Sequence, residues 1–233
     1  MKIAIMQPTY WPWIGYFELV AQSSVFVFLD SAQFVKGSWH SRNRLKGNND
    51  QPFWLSVPVQ SAPLKTPLSE VRIAPQNLNW RKDHQNSILT HLGSAPFYAQ
   101  LKPVVDRVLS SPYERLTELT VASVRAIAEL IGVDSTFALA SELGCVGKKS
   151  TLLIDICQRF NATRYYSPAG SADYMEAETG LWDAAGISVD FQDWRHPVYP
   201  QRGTAFVSHL SVLDAIANVG AAQVGEWVKR KRI

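Results

Sequence analysis

The segment Lys36-Gly-Ser-Trp39-His40-Ser-Arg42-Asn43-Arg44-Leu-Lys46 places four cations, an indole, an imidazole and an amide within eleven residues. Arginine offers a planar fork that matches phosphate or carboxylate, and tryptophan offers a face on which a base or sugar stacks. The mixture of Gln33 to Lys46 therefore points to an anionic ligand carrying a flat group. A second cluster, Gly147-Lys148-Lys149-Ser150-Thr151, precedes a helical pattern. Ser150 or Thr151 is expected to cap that helix while the lysines face an anion at its positive end. It is not a P-loop, because Glu142 stands where that motif needs its first glycine. Among the histidines, His196 in Asp193-Trp-Arg195-His196-Pro-Val-Tyr199-Pro-Gln201 follows a strand pattern, where a general base with Asp193 or Asp30 as partner would sit. His84 and His91 share a helical face without a third ligand, so helix-surface or core roles are expected and no metal site is drawn.

These groups must be held by elements legible in the hydrophobic pattern. Residues 2–7 and 25–30 are near-continuous apolar runs, the mark of strands buried on both faces, and Ile14 to Gln22 between them reads as helix. Phe53–Val57 and Val71–Ile73 read as short strands. From Leu78 to Ile131 apolar residues recur at helical spacing, in about three helices broken at Ser94-Ala-Pro and Ser110-Ser-Pro112. Strand and helix then alternate: strand Thr136–Ser141, helix Thr151–Phe160, strand Arg164–Ser167, helix Asp173–Ala185, strand Val189–Gln192, and a last helix Val212–Asn218 stopping near Gly220. The fold class expected is α/β, a Rossmann-like parallel sheet with flanking helices, interrupted by a helical subdomain. The α/β domain would comprise 1–77 and 132–233, and the helical subdomain 78–131. Open sheets of this kind collect ligands outside the carboxyl ends of their strands. Gln7, Asp30, Arg42, Lys148 and His196 are accordingly expected in one cleft, with the helical block as its wall or lid.

Composition narrows the classes. With 233 residues, 46% of them hydrophobic, the chain can bury one substantial core, and a net charge of +3 is short of a dedicated nucleic-acid binder. Lys229 to Arg232 reads as a solvated tail. Cys145 and Cys157 make neither a disulfide framework nor a zinc site. No apolar run approaches the length of about 18 residues that spans a bilayer, and the first apolar run meets Gln7-Pro8 too soon for a signal peptide. A cytoplasmic protein without membrane contact is expected.

Pro12-Trp13-Ile14-Gly15-Tyr16 lies where nucleotidyltransferases and class I synthetases carry a His-x-Gly-His element, and Trp13 and Tyr16 replace both histidines. The placement suggests a related fold, and the substitutions argue against ordinary adenylyl transfer.

Further motifs run through nearly the whole chain: Gln7-Pro8-x-Tyr10-x-Pro12-Trp-x-Gly15-Tyr-Phe, Asp30-x-x-Gln33-Phe-x-Lys36-x-x-Trp39-x-x-Arg42-Asn43, Ser141-Glu-Leu-Gly, Arg164-Tyr-Tyr-Ser, Tyr199-x-Gln201 and Leu210-Ser-Val-Leu-Asp214. In these the chain resembles the WbqC-like family. The resemblance implies a place in bacterial surface polysaccharide (O-antigen) synthesis and, by one proposal, amide formation on an amino sugar. On this reading Gln7, Tyr10, Gln33, Lys36, Trp39, Arg42, Asn43, Lys148, Ser150, Tyr199 and Gln201 contact substrate, and His196 or Asp30 deprotonates the amine. The partners implied are a nucleotide-linked sugar and an acyl donor, such as aminoacyl-tRNA, an acyl-CoA, or ATP with a free amino acid. Met6 stands where the family pattern has His and Ser41 where it has Asn, so His40 and His196 are the expected replacements for the missing imidazole. The rival expectation is a noncatalytic protein that binds a sugar nucleotide or single-stranded nucleic acid through the same basic-aromatic segment.

Overall fold

A computed structural model describes residues 1–76, 79–172, 175 and 177–230. Five strands, β1 (Lys2–Met6), β2 (Val25–Phe28), β5 (Thr136–Leu139), β6 (Arg164–Ser167) and β7 (Ser188–Phe191), pair in parallel in the order β5-β2-β1-β6-β7. A separate antiparallel hairpin joins β3 (Arg42–Lys46) to β4 (Pro52–Ser56). The chain builds outward from β1 to β2 and β5, then returns past β1 to β6 and β7. This reversal opens a crevice between β1 and β6 at the carboxyl edge of the sheet.

The alternation of side chains along β1 and β2 assigns the two faces. Ala4, Phe26 and Phe28 belong to one core with helix α1 (Ile14–Ala21) and the helical block, while Ile3, Ile5, Val25 and Val27 pack on the other side. Helices α5 (Ser150–Arg159) and α6 (Thr179–Ala184) cover that second face, with Leu153, Ile156 and Trp182 buried against it. The helical block consists of α2 (Trp80–Leu92), α3 (Tyr98–Ser110) and α4 (Leu116–Leu130). Its Ile88, Leu101, Leu119, Val124 and Ile127 are continuous with the core of the first face rather than with a core of their own.

Two helices close the chain, α7 (Val212–Val219) and α8 (Ala221–Lys229), with Gly220 at φ 87° making the turn between them. The second of these is absent from the sequence reading. The expected strand at Val71–Ile73 is reduced to isolated bridges, Arg72 to Arg115 and Val59 to Ile73, because each residue pairs with a different segment. The expected helix start at Leu78 and the Asp173 end of another helix lie outside the described residues, as do Lys231, Arg232 and the chain end. Among the described residues no helix is long and apolar enough to cross a membrane.

Candidate functional site

Beyond the carboxyl end of β1, the loop Gln7 to Trp13 folds over the crevice and is locked from several sides. The Asn43 amide donates to the carbonyls of Tyr10 at 3.1 Å and Trp11 at 2.8 Å, and the Tyr10 N–H donates to the Trp39 carbonyl. The Val212 N–H donates to Pro12, and the Ser211 N–H to Arg44. Trp11 sits at φ 42°, a left-handed conformation that costs a non-glycine residue energy and persists only where its surroundings over-determine it. Three segments far apart in sequence are thus tied into one wall.

They enclose a cavity of about 290 Å³ lined by Met6, Thr9, Trp13, Tyr16, Trp39, Asn43 and His209. Trp13 lies against His209 with ring centroids 4.9 Å apart and parallel to His196 at 6.1 Å. Gly15 makes this possible: a Cβ there would fall 2.2 Å from the end of the Trp13 ring. Tyr16 donates its hydroxyl to the Gln7 carbonyl at 3.1 Å, and neither Trp13 nor Tyr16 offers a cation at this turn.

Trp39 is shared with a second feature. On the β3-β4 hairpin, Arg42 stacks on Trp54 at 4.0 Å, and Arg44 lies 5.3 Å from Trp39 and 5.7 Å from Trp54. The two indoles are 5.1 Å apart and remain 44% and 41% exposed. Neither guanidinium has a hydrogen bond or ion pair among the described residues, and both Nε atoms are buried without a partner. Two arginines aligned by aromatic faces and left without carboxylates are arranged to receive an anion.

The imidazoles expected to act as bases are otherwise engaged. His196 Nδ1 donates to the Pro197 carbonyl at 2.8 Å, and Nε2 accepts the His209 N–H at 3.1 Å. Burial first, and the neighbouring His209 second, push its pKa below the usual histidine range, against the Pro197 bond. His40 Nε2 donates to the Gln7 side-chain oxygen at 2.8 Å, its Nδ1 faces the Val35 N–H, and burial lowers its pKa to about 4. Both rings act as scaffold. His209, missed in the sequence, is exposed, lines the cavity, and has no hydrogen bond on its ring nitrogens among the described residues. Its one sequence signal was its recurrence thirteen residues after His196, in a loop with no periodicity.

The remaining expected residues are dispersed, so a single cleft gives way to several locations. Asp30, 1% exposed, accepts the Ser141 N–H at 2.8 Å and the Ser141 hydroxyl at 2.5 Å, joining the ends of β2 and β5. Tyr10 is fully buried, with its hydroxyl on His84 Nδ1 at 2.8 Å. Gln33 and Lys36 are exposed beside the hairpin. Lys148 is exposed at the start of α5, beyond the edge strand β5 and two strands from β1. Ser150 is the first helical residue and fully buried, not a cap; Thr151 instead bonds back to the Lys148 N–H at 3.0 Å. Tyr199 and Gln201 both donate to Asp214 Oδ2 at 2.9 Å, and Gln201 and Asp214 line a different cavity. Trp39 and Asn43 alone among the expected substrate contacts line the crevice cavity.

A family model described as the WbqC-like protein family matches residues 7–226. The uncharacterized protein Rv1507c of Mycobacterium tuberculosis is 28% identical over 223 residues, covering 94% of each chain. No solved structure matches.

Proposed function

The chain belongs to the WbqC-like protein family, and from that premise we propose that it is an acyl- or aminoacyl-transferase forming an amide on a nucleotide-linked amino sugar, in bacterial surface polysaccharide synthesis. The observation that carries the reading is the double use of Trp39, which lines the crevice cavity and also belongs to the Arg42-Trp54-Arg44 ladder. A ligand with a base on the exposed indoles and a diphosphate between the two guanidinium groups would direct its sugar toward Thr9, Asn43 and His209. In the reaction the amine lone pair attacks the acyl carbonyl and the carbon–nitrogen bond forms. The bond from the acyl carbon to its carrier breaks, its electron pair leaving with the carrier. The amine proton must go to a base, and His209 is the imidazole with unengaged ring nitrogens beside the cavity. His196 and Asp30 hold the surrounding loops. From the nucleotidyltransferases the reading takes only the placement of the Pro12–Tyr16 turn, and it keeps the cytoplasmic location expected from the sequence.

Isothermal titration with nucleoside-diphosphate amino sugars, the matching nucleoside diphosphates and inorganic phosphate tests the reading. The amino-sugar nucleotide should bind tightest, and Trp39→Ala should weaken it by about tenfold or more, in line with the loss of one stacked base. Equal binding of all three ligands would sink the sugar-nucleotide assignment. The exposure of Trp39 and Trp54 between two unpaired arginines equally suits a noncatalytic binder of single-stranded nucleic acid. That second reading requires RNA affinity to fall steeply with salt and product formation to be absent with every acyl donor.

A further inference from the structure

A second cavity, of about 240 Å³, lies between Lys46 and Gly47 at the end of β3, the C-terminus of α2, and α7. At its wall stands Asp214, 2% exposed. Tyr199 and Gln201 both donate to its Oδ2, whereas Oδ1 accepts no hydrogen bond among the described residues. Lys46 is the cation that electrostatically favours this carboxylate, but its ammonium pairs with Asp50 at 2.9 Å and donates to the Ala205 carbonyl. Asp214 is therefore a buried carboxylate served by two neutral donors and lacking a counter-ion of its own, an arrangement that is expensive unless something pairs with it.

Beside the cations Lys46 and Arg202, the rest of the wall offers an imidazole acceptor and a helix C-terminus. His91 donates from Nδ1 to the Ser87 carbonyl at 2.8 Å, which leaves Nε2 as an acceptor. Helix α2 ends here at Leu92, and the negative end of a helix favours a cation. We propose that this cavity binds a primary ammonium group, with Asp214 as its counter-ion. Amino sugars and free amino acids both supply that group, and Arg202 at the rim suits the carboxylate of the latter. The inference stands on this cavity alone and survives failure of the transferase reading. Burial, outweighing the Tyr199 and Gln201 bonds and the Lys46 charge, raises the Asp214 pKa to about 6. Affinity should consequently fall as pH drops through that value, where the carboxylate is lost. The other groups that face or adjoin it are Tyr199, Lys46, Asp50, His91 and Arg202.

Isothermal titration of the full chain at neutral pH with ethanolamine, alanine and glucosamine, against acetate and glucose, tests the assignment. At least one amine should bind at millimolar concentration and the two controls should not; alanine alone identifies an amino-acid site and glucosamine alone an amino-sugar site. Asp214→Asn should weaken the bound amine by about tenfold or more, as for loss of a charge-assisted bond. Ser94→Trp, on the exposed mouth, should do the same without altering the buried carboxyl, and it decides the question where Asp214→Asn fails to fold. His91→Gln should leave the acid midpoint of binding in place. The proposal is overturned if no amine binds, if both blocking variants bind as the parent does, or if the acid midpoint disappears with His91.

Discussion

Acidification from pH 6.5 to pH 4 should destabilise this protein through two histidines that are buried neutral. His40 and His84 are each 6% exposed, and burial lowers both from the usual 6.5 to about 4; for His84 this prevails over the Ser56 carbonyl bond and the Asp83 charge. A group whose folded pKa is depressed binds its proton more readily in the unfolded chain, so stability falls as pH drops from 6.5 toward 4. At about 1.4 kcal/mol per pH unit, each histidine forfeits about 3 kcal/mol across that window. Asp214 opposes them. Its folded pKa is raised from 3.8 to about 6, so its contribution is present below 3.8 and lost as pH rises through 6; acidification returns about 3 kcal/mol. The histidines win by about 3 kcal/mol, a large share of the 5 to 15 kcal/mol that an ordinary domain has.

The check is urea denaturation at fixed ionic strength across that range, for the parent and for His40→Gln and His84→Gln. Each variant removes one titrating group, so each should flatten the slope by about 3 kcal/mol over the window even where its stability at pH 7 is lower. A parent whose stability stays level or rises on acidification, with both variants giving the same slope as the parent, refutes the claim that these imidazoles are held neutral. Histidine ring NMR showing titration of either near 6.5 refutes it independently.

Gly15→Ala should drive the Trp13 ring from the cavity wall at a stability loss of about 1 to 3 kcal/mol, read as a lower melting temperature with a red shift in tryptophan emission; an unchanged emission spectrum would mean the ring did not have to move. Asn43→Ala removes both donors that hold the Tyr10 and Trp11 carbonyls and should cost about 2 to 4 kcal/mol in urea unfolding, with Trp11 released from its left-handed conformation; a loss below half a kilocalorie would show the loop is held elsewhere. Ser141→Ala leaves Asp30 with one backbone donor and should cost about 1.5 to 3 kcal/mol by the same measurement, whereas Ser141→Thr, retaining the hydroxyl, should recover most of it.

The parallel sheet was legible because a strand buried on both faces must be apolar along its whole length, as Ile3 to Met6 and Val25 to Phe28 are. The three helices of the block were legible for the complementary reason: their apolar residues recur on one stripe. Strand β3 was not, since Arg42-Asn-Arg-Leu-Lys46 has no apolar run and reads as part of a basic loop suited to an anionic ligand rather than as a strand. In the hairpin its alternation divides the side chains between two faces. Arg42 and Arg44 emerge toward Trp54, while Asn43 and Leu45 turn inward, one to clamp the β1-α1 loop and the other into the core. Helix α8 was hidden by Gly220, which makes the turn before it, and by Gly225 inside it, whose low helix propensity is overridden by packing of Val224 and Val228. The chemistry of Tyr199 and Gln201 was unreadable because it depends on Asp214, thirteen residues beyond Gln201 and on another element.

The turn at Trp13-Ile-Gly-Tyr16 takes its place from the sheet and its chemistry from its side chains. In a parallel sheet of this order the turn after β1 faces the crevice whatever its side chains are, so the site's location follows from topology. What the site recognises follows from the side chains, and here the turn offers an indole and a phenol. The phenol is turned back onto the Gln7 carbonyl and the indole is packed between His196, His209 and the cavity, so the turn contributes surface for stacking. Positive charge stands on the hairpin, where Arg42 and Arg44 lie over Trp54, and the imidazole of His209, unengaged among the described residues, stands on the loop before α7. A ligand held here would be gripped by its flat group and its anion on the hairpin, leaving its remaining portion over β1. That division makes Trp39, the one side chain common to both, the residue whose loss should uncouple them.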